Sequence, residues 1–208
     1  MKVAIIGTGN MGAGLAATLA AAGHEVSIGA RDLAKAAALA DKVGHGAMGG
    51  GIAAAAKLAD LVILALPFDA VADAIKQAGD LAGKVLVDIS NPISADYKEL
   101  VIGHTTSAGE EIQKLAPQAK VVKAFNTIFA QLLAPESRPN KTLQVFVAGD
   151  DAATKASVSE LARSVGFQAM DAGPLSNSRY LEPIGEMNIH FGYFLGKGPV
   201  VAPAWVHV

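Results

Sequence analysis

The chain has 208 residues, of which 51% are hydrophobic and 17% charged, with a formal net charge of −2. This composition excludes a disordered or fibrous chain, and the near-neutral charge argues against general affinity for nucleic acid or anionic membranes. Because the sequence contains no cysteine, disulfides, thiol catalysis and thiolate metal sites are excluded.

Short β-rich runs alternate with longer alanine-rich runs along the sequence. The β-rich runs are mostly continuous and apolar, which is typical of strands covered on both faces of a parallel sheet. The predicted strands are Val3–Gly7, Val26–Gly29, Leu61–Leu66, Val85–Ile89, Val121–Phe125, Val145–Ala148 and Phe167–Asp171. Helices are predicted over Met11–Ala22, after the caps Asp32, Ser107 and Asp151, and over Val71–Ala78. Strand then helix, repeated, predicts a doubly wound, mostly parallel α/β sheet.

Two segments interrupt this alternation. Gly44–Gly51 is rich in glycine and predicts a mobile loop. From about Ser176 the sequence predicts a helix, followed by Gly196–Pro199 and an irregular apolar tail. We therefore expect one domain, with an α/β core over residues 1–172 and a C-terminal helix and tail over residues 173–208.

Hydropathy predicts no membrane-spanning segment. The longest strongly apolar run, Leu61–Pro67, is far shorter than the roughly 20 residues that a spanning helix needs. The sequence enters a predicted strand from its start, without a cleavable leader. We expect a cytoplasmic protein with no membrane partner.

A glycine motif follows the first predicted strand and opens the first helix. Gly7 permits the tight turn, Gly9 lets the backbone approach a pyrophosphate, and Gly12 lets the helix pack closely on the strand. The N-terminus of the helix then presents free N–H groups and partial positive charge to the phosphates. In this context the motif predicts a Rossmann core that binds a dinucleotide.

The end of the second predicted strand indicates which dinucleotide is bound. An NAD site places a carboxylate there for the ribose 2′-hydroxyl, whereas this chain has Arg31 at that point and Lys35 one helical turn further on. Two cations would bind a 2′-phosphate through charge-assisted bonds. Asp32 suits a helix cap instead. The sequence therefore favours NADP over NAD.

Polar residues also follow three later strands, in Leu66–Phe68, Ser90–Pro92 and Asn126–Thr127. Ligands of such sheets bind beyond the carboxyl ends of the strands, so these side chains could bind a carboxamide or wall off a flat ring. Asn91 is equally compatible with an ordinary turn, whereas for Asn126 we favour a contact with substrate or nicotinamide.

The sequence offers no evident acid–base pair. The histidines (His24, His45, His104, His190 and His207) lack metal-ligand spacing, no nucleophile elbow is present, and Lys123 in its apolar strand suggests a sheet edge. We assign no catalytic residue and no metal site. Hydride exchange between two redox rings needs positioning alone, so this absence favours such a reaction over reduction of a carbonyl.

Four segments resemble the NADPH-dependent reductases of coenzyme F420 and the related oxidoreductase domain of the STEAP metalloreductases: Gly7–Gly12, Gly29–Arg31, Val121–Ala130 and Asp171–Arg179. The last, DAGPLSNSR, matches the F420 reductase motif almost letter for letter. The chain departs from that family at Ala30, where Ser is frequent, and at Asn126, where the archaeal enzymes have His and the STEAP-type domain has Asn.

The resemblance implies NADP(H) as the cofactor, F420 or a flavin as the second substrate, and roles for individual residues. Pyrophosphate contacts are implied for Thr8, Gly9, Asn10 and Met11, 2′-phosphate contacts for Arg31 and Lys35, and a dinucleotide lining for Leu66, Pro67 and Asn91. Asn126, Ile128, Ser176 and Asn177 would border the pocket where a deazaflavin ring stacks on nicotinamide. Family members are dimers, and an apolar stripe from Tyr180 to Phe194 on the last predicted helix suits packing against the sheet or against a second copy.

The leading functional hypothesis is an NADP-dependent oxidoreductase that transfers hydride between NADP(H) and a deazaflavin or flavin-like acceptor. An NADP(H)-binding redox sensor without turnover remains the alternative from another class. A β-hydroxyacid or imine dehydrogenase is less favoured, since those enzymes add a large helical domain and only 37 residues follow Asp171 here.

Overall fold

The structure, a computed structural model, describes residues 1–206 and 208, so His207 lies outside the described residues. Its centre is an eight-stranded sheet in the order β3-β2-β1-β4-β5-β6-β7-β8. All neighbours pair in parallel except β6 and β7. The strands are β1 (Lys2–Ile6), β2 (Glu25–Gly29), β3 (Met48–Gly50), β4 (Leu61–Leu64), β5 (Val85–Asp88), β6 (Lys120–Lys123), β7 (Gln144–Gly149) and β8 (Gln168–Asp171).

Seven helices connect these strands or follow them in the part of the chain that the structure describes. They are α1 (Asn10–Ala21), α2 (Leu33–Val43), α3 (Ile52–Leu58), α4 (Phe68–Ala78), α5 (Ala108–Leu115), α6 (Ala152–Ser164) and α7 (Ser178–Ile189). A π-helical turn over His190–Phe194 extends α7. The predicted doubly wound, mostly parallel α/β sheet with a helical C-terminal end is confirmed.

Three predicted helix caps are confirmed by their hydrogen bonds. Asp32 accepts from the backbone N–H of Lys35, Ser107 from that of Glu110, and Asp151 from that of Thr154. Each side chain satisfies an N–H group that a helix start leaves unpaired. The cap on α2 also explains why a carboxylate follows Arg31 directly.

The core lies on both faces of the sheet, as continuous apolar strands predict. In β1, Val3 and Ile5 pack into one hydrophobic cluster, while Ala4 and Ile6 pack into another on the opposite face. All four side chains are fully buried. A strand covered on both faces shows no alternation in its sequence, which is the pattern that the β-rich runs have.

The prediction of a mobile loop over Gly44–Gly51 is wrong for its second half, whereas residues 44–47 do form a turn. Met48–Gly50 forms the edge strand β3, which pairs in parallel with β2, and the unpredicted helix α3 follows it. A Cβ at Gly49 would lie 2.3 Å from the carbonyl oxygen of Ala36, so the close approach of β3 to α2 requires glycine. Glycine here serves packing rather than mobility.

The strand order reverses between β1 and β4, because the chain runs outward through β2 and β3 and then returns to the other side of β1. In open α/β sheets this point leaves a crevice at the carboxyl ends of the strands, where ligands bind.

In the part of the chain that the structure describes, no helix combines the length and apolar character needed to cross a membrane.

Candidate functional site

The glycine loop between β1 and α1 is shaped by close backbone contacts. Gly7 has a φ of +122°, and a Cβ there would lie 2.2 Å from the carbonyl oxygen of Ala65. A Cβ at Gly12 would lie 2.2 Å from the carbonyl oxygen of Gly7, whereas one at Gly9 would meet nothing within 4 Å. Gly9 is the N-cap of α1, and no side chain caps that helix. The loop thus leaves an open, uncapped helix N-terminus of the kind that binds phosphate.

Two clefts adjoin this loop. The smaller, of about 200 Å³, lies between the loop, the end of β2 and α4. Thr8, Arg31 and Lys35 line one side, and Asp73 and Gln77 of α4 line the other. The Lys35 ammonium lies 3.9 Å from the Asp32 carboxylate, and both side chains are largely exposed. Two exposed cations at a cleft next to a helix N-terminus suit an anionic group such as a phosphate.

A larger cleft of about 730 Å³ lies at the point where the strand order reverses. Asn10 and Met11 of the glycine loop, Pro67 and Phe68 after β4, and Asn91 after β5 all line it. Leu66 lines both clefts, so the two adjoin along the carboxyl ends of β1 and β4. A ligand with an anionic end and a planar end could occupy both.

A hairpin-like segment over residues 93–101 forms the outer wall of the larger cleft, and sequence reasoning missed it. Ile93 and Leu100 form an antiparallel bridge, and Tyr97, at a φ of +60°, and Val101 line the cleft. The signal was the length of the connection between β5 and α5. A long connection without predicted secondary structure is commonly a binding loop.

Ionised groups are buried under the floor of the larger cleft. Lys123, at the end of β6, forms ion pairs with Asp88 of β5 and, at 2.7 Å, with Glu182 of α7, and it donates to the carbonyl of Ser90. Burial opposes its charge, but the two carboxylates outweigh that and raise the pKa of Lys123. The expectation of a sheet edge for Lys123 is wrong, because β6 lies between β5 and β7 and this side chain is fully buried.

Glu182 joins the last helix to this cluster. Its carboxylate accepts hydrogen bonds from the backbone N–H groups of Ala108 and Gly109, at the start of α5, at 3.0 and 3.2 Å. Burial raises the pKa of Glu182, and the Lys123 ammonium opposes that rise. The cluster therefore ties β5, β6, α5 and α7 together directly behind the cleft.

The predicted cofactor-binding residues come together at the two clefts, with one exception. Gly12 lies beneath the loop, where it packs on Gly7. The smaller cleft is lined by Gly7, Thr8, Arg31, Lys35 and Leu66, and the larger by Gly9, Asn10, Met11, Leu66, Pro67 and Asn91. The individual contacts to a cofactor stay predictions.

The residues predicted to border the acceptor are placed differently. Asn126 is buried behind Asn91, and Ile128 lies in the hydrophobic core. Asn177 donates to the carbonyl of Ala172 and lines an apolar groove beside β8 and the C-terminal tail, and Ser176 precedes it in the same short turn. Neither cleft is lined by any of these four side chains, and their contact with an acceptor stays a prediction.

Titratable side chains are scarce at the larger cleft. Asp69 and Tyr97 are the ionisable residues in its lining, and no group of three histidine, aspartate or glutamate side chains within residues 1–206 and 208 could hold a metal ion. The site therefore presents backbone N–H groups, amides and apolar walls, which bind and orient flat ligands.

Comparison with protein-family models matches residues 2–92 to the family described as NADP oxidoreductase, coenzyme F420-dependent. The F420-dependent NADP reductase of Methanothermobacter marburgensis is 35% identical, and the alignment covers 91% of this chain and 92% of that enzyme. A crystal structure from Arthrobacter sp. FB24, described as an F420-dependent NADP reductase, is 35% identical, covers 96% of both chains and superposes with a TM-score of 0.86.

Mammalian metalloreductases also match. Rat metalloreductase STEAP3 is 33% identical over 88% of this chain. The chain spans only 36% of the length of STEAP3, so the similarity concerns one part of that protein.

Proposed function

The chain belongs to the family of F420-dependent NADP reductases, and from this membership we propose that it transfers hydride between NADP(H) and a deazaflavin acceptor of the F420 type. The observation that carries the proposal is the pair of adjoining clefts, which share Leu66 and differ in chemistry. One offers cations for a phosphate, and the other offers a flat, mostly uncharged space for two rings.

The glycine loop fits the pyrophosphate of a dinucleotide. The position that a Cβ of Gly9 would fill is empty for 4 Å around, next to the uncapped N-terminus of α1. Phosphate oxygens there would accept from backbone N–H groups and lie in the favourable field of the helix dipole. Thr8, Asn10 and Met11 flank the same space.

The larger cleft fits the reacting rings. Bound NADPH would supply the hydride, and the residues that line this cleft would orient the two rings and exclude water. Met11 and Leu66 lie on the cofactor side, while Phe68, Tyr97 and Val101 offer apolar or aromatic surfaces for the acceptor ring. The proton that a deazaflavin takes up together with the hydride would come from solvent at the open cleft, so no side chain of this lining has to act as a general acid or base.

Turnover tests the proposal directly. Purified protein should oxidise NADPH steadily when F420 is added, and faster with F420 than with FMN or FAD. The loss of NADPH absorbance measures the rate. Binding of NADPH without oxidation by any of these acceptors would contradict the enzymatic proposal and favour a redox sensor.

Arg31→Ala tests the recognition of the 2′-phosphate. Loss of a charge-assisted contact should weaken NADPH binding by about 10- to 100-fold, while NADH binding changes by less than about 3-fold. Isothermal titration calorimetry with both dinucleotides measures the difference. Lys57→Ala on α3 removes an exposed cation that lines neither cleft and should leave both affinities unchanged. Equal losses for NADPH and NADH in Arg31→Ala would contradict the assignment.

We further propose that two copies pair through α7. Tyr180, Met187, Phe191 and Phe194 leave between 42% and 69% of their surface exposed along α7 and its π-helical extension. An exposed apolar stripe of this size is typical of an interaction surface, and an isologous pairing would cover it in both copies.

A cytoplasmic location stays a prediction of the sequence.

A further inference from the structure

Asn91 lies where β5 ends, on the floor of the larger cleft, and it is held from behind by α7. A Cβ at Gly185 of α7 would lie 2.5 Å from Oδ1 and 2.6 Å from Nδ2 of Asn91. Glycine at position 185 therefore lets the helix backbone pack directly on this carboxamide. The Asn91 side chain has little room to rotate.

Two reciprocal hydrogen bonds fix the orientation of the Asn91 amide. Its Nδ2 donates to the backbone carbonyl of Asn126 at 2.9 Å, and its Oδ1 accepts from Nδ2 of Asn126 at 2.9 Å. If the Asn91 amide were flipped, two N–H groups would face each other, and two oxygens would do the same. The observed orientation is the one that makes both of these hydrogen bonds, although it leaves the buried Oδ1 of Asn126 without a partner in the part of the chain that the structure describes.

The orientation of Asn126 is fixed in turn by a carbonyl that can only accept. Nδ2 of Asn126 also donates to the backbone carbonyl of Leu181 at 2.9 Å, so both of its N–H groups are used. The Asn126 side chain is buried and lines neither cleft. The carbonyl of Leu181 therefore fixes the orientation of the Asn126 amide, and the Asn126 amide fixes the orientation of the Asn91 amide.

We infer that Asn126 is a positioning residue, which locks the Asn91 carboxamide so that its second N–H is presented to an oxygen of the dinucleotide bound in the larger cleft. The inference rests on the proposed function, since it needs a dinucleotide in that cleft. It differs from the sequence prediction, in which Asn126 touches the acceptor or nicotinamide itself. Asn126 acts through Asn91.

A double-mutant cycle separates positioning from direct contact. Asn91→Ala, Asn126→Ala and the double variant are titrated with NADPH. Each single change should weaken NADPH binding by about 3- to 10-fold, the range for one lost hydrogen bond. The double variant should bind no more weakly than Asn91→Ala, because without Asn91 the orienting bond has no function. Losses that multiply in the double variant would overturn the inference.

Binding of 2′,5′-ADP provides the control within the same experiment. This fragment occupies only the adenosine side, so its affinity should stay unchanged in all three variants. If 2′,5′-ADP and NADPH both fail to bind the unmutated protein, the proposed function fails; if both bind but the losses multiply, only the present inference fails. Asn126→Ser, whose hydroxyl is too short to join Asn91 and Leu181, gives a second, milder variant if Asn126→Ala does not fold, and it should show the same pattern.

Discussion

Three glycines in the loop between β1 and α1 have three different surroundings, although the sequence motif treats them alike. A Cβ at Gly7 or Gly12 would collide with a backbone carbonyl at 2.2 Å, whereas one at Gly9 would point into open space. Gly7 and Gly12 are therefore required by the fold, whereas the proposed function assigns the space at Gly9 to the ligand. This separation allows a test in which stability and binding change independently.

Gly9→Ala should leave the fold nearly intact and strongly weaken dinucleotide binding. The φ of −73° at Gly9 suits any residue, and the changed N-cap costs about 1 kcal/mol at most. The added methyl group would occupy the space of the pyrophosphate, so affinity for NADPH and for NADH should fall by more than about 10-fold. Calorimetric titration measures the affinities, and thermal unfolding measures the stability.

Gly12→Ala is the matched control, because it adds the same methyl group one helical turn away. Its Cβ would press on the carbonyl of Gly7, and overpacking of this kind lowers the free energy of unfolding by about 1–3 kcal/mol. If Gly9→Ala destabilised the protein as much as Gly12→Ala does, the fold would require Gly9 as well; if Gly9→Ala left both affinities unchanged, the open space at Gly9 would have no role in binding.

At the scale of single elements, the sequence predicted what depends on local chemistry. The caps Asp32, Ser107 and Asp151 were found because a short polar side chain before an apolar run competes for free N–H groups wherever it stands. The strand β3 was missed because it depends on the close packing of Gly49 against the backbone of Ala36 in α2, a contact between different elements. Short edge strands that depend on such packing have no local signal.

The carboxylate of Asp151, which caps α6, should make part of the protein's stability depend on pH. Hydrogen bonds from the Thr154 side chain and backbone, together with Lys120, lower the pKa of Asp151 to about 2. Since the folded-state pKa lies below the unfolded value, this contribution is present above about pH 4 and is lost as pH falls toward 2. Asp151→Asn keeps a capping side chain but cannot titrate, so its melting temperature should fall less between pH 4.5 and 2.5 than that of the unmutated protein.

Thermal unfolding across this pH range checks the prediction. Lys120→Gln removes the neighbouring cation and keeps the carboxylate. This variant should retain most of the acid dependence, because the hydrogen bonds from Thr154 lower the pKa of Asp151 more than Lys120 does. The same fall of melting temperature in Asp151→Asn and in the unmutated protein would show that other carboxyl groups control the acid response.

At the scale of the whole molecule, the sequence could predict which strand ends lie side by side, but not which of the side chains there lines the cleft and which is buried behind it. Asn91 and Asn126 both follow strands of the same sheet edge, yet α7 presses on Asn91 through Gly185, and Asn126 turns behind it to reach Leu181. Both contacts depend on a helix that lies far away in the chain. The buried position of Lys123 has the same origin, since Glu182 of α7 supplies one of its two carboxylates.

The exposed stripe on α7 leads to a prediction about assembly. A stable interface buries about 800 Å² on each partner, and exposed aromatic and methionine side chains are enriched in such surfaces. Met187→Arg places a cation in the middle of the stripe, and an isologous pairing would bring two of these cations together. The unmutated protein should sediment as a dimer at micromolar concentration, and the variant as a monomer with an unchanged melting temperature. Leu58→Arg, at an equally exposed apolar residue of α3, should remain a dimer. A monomeric unmutated protein, or a Met187→Arg variant that still pairs, would show that α7 does not join two copies.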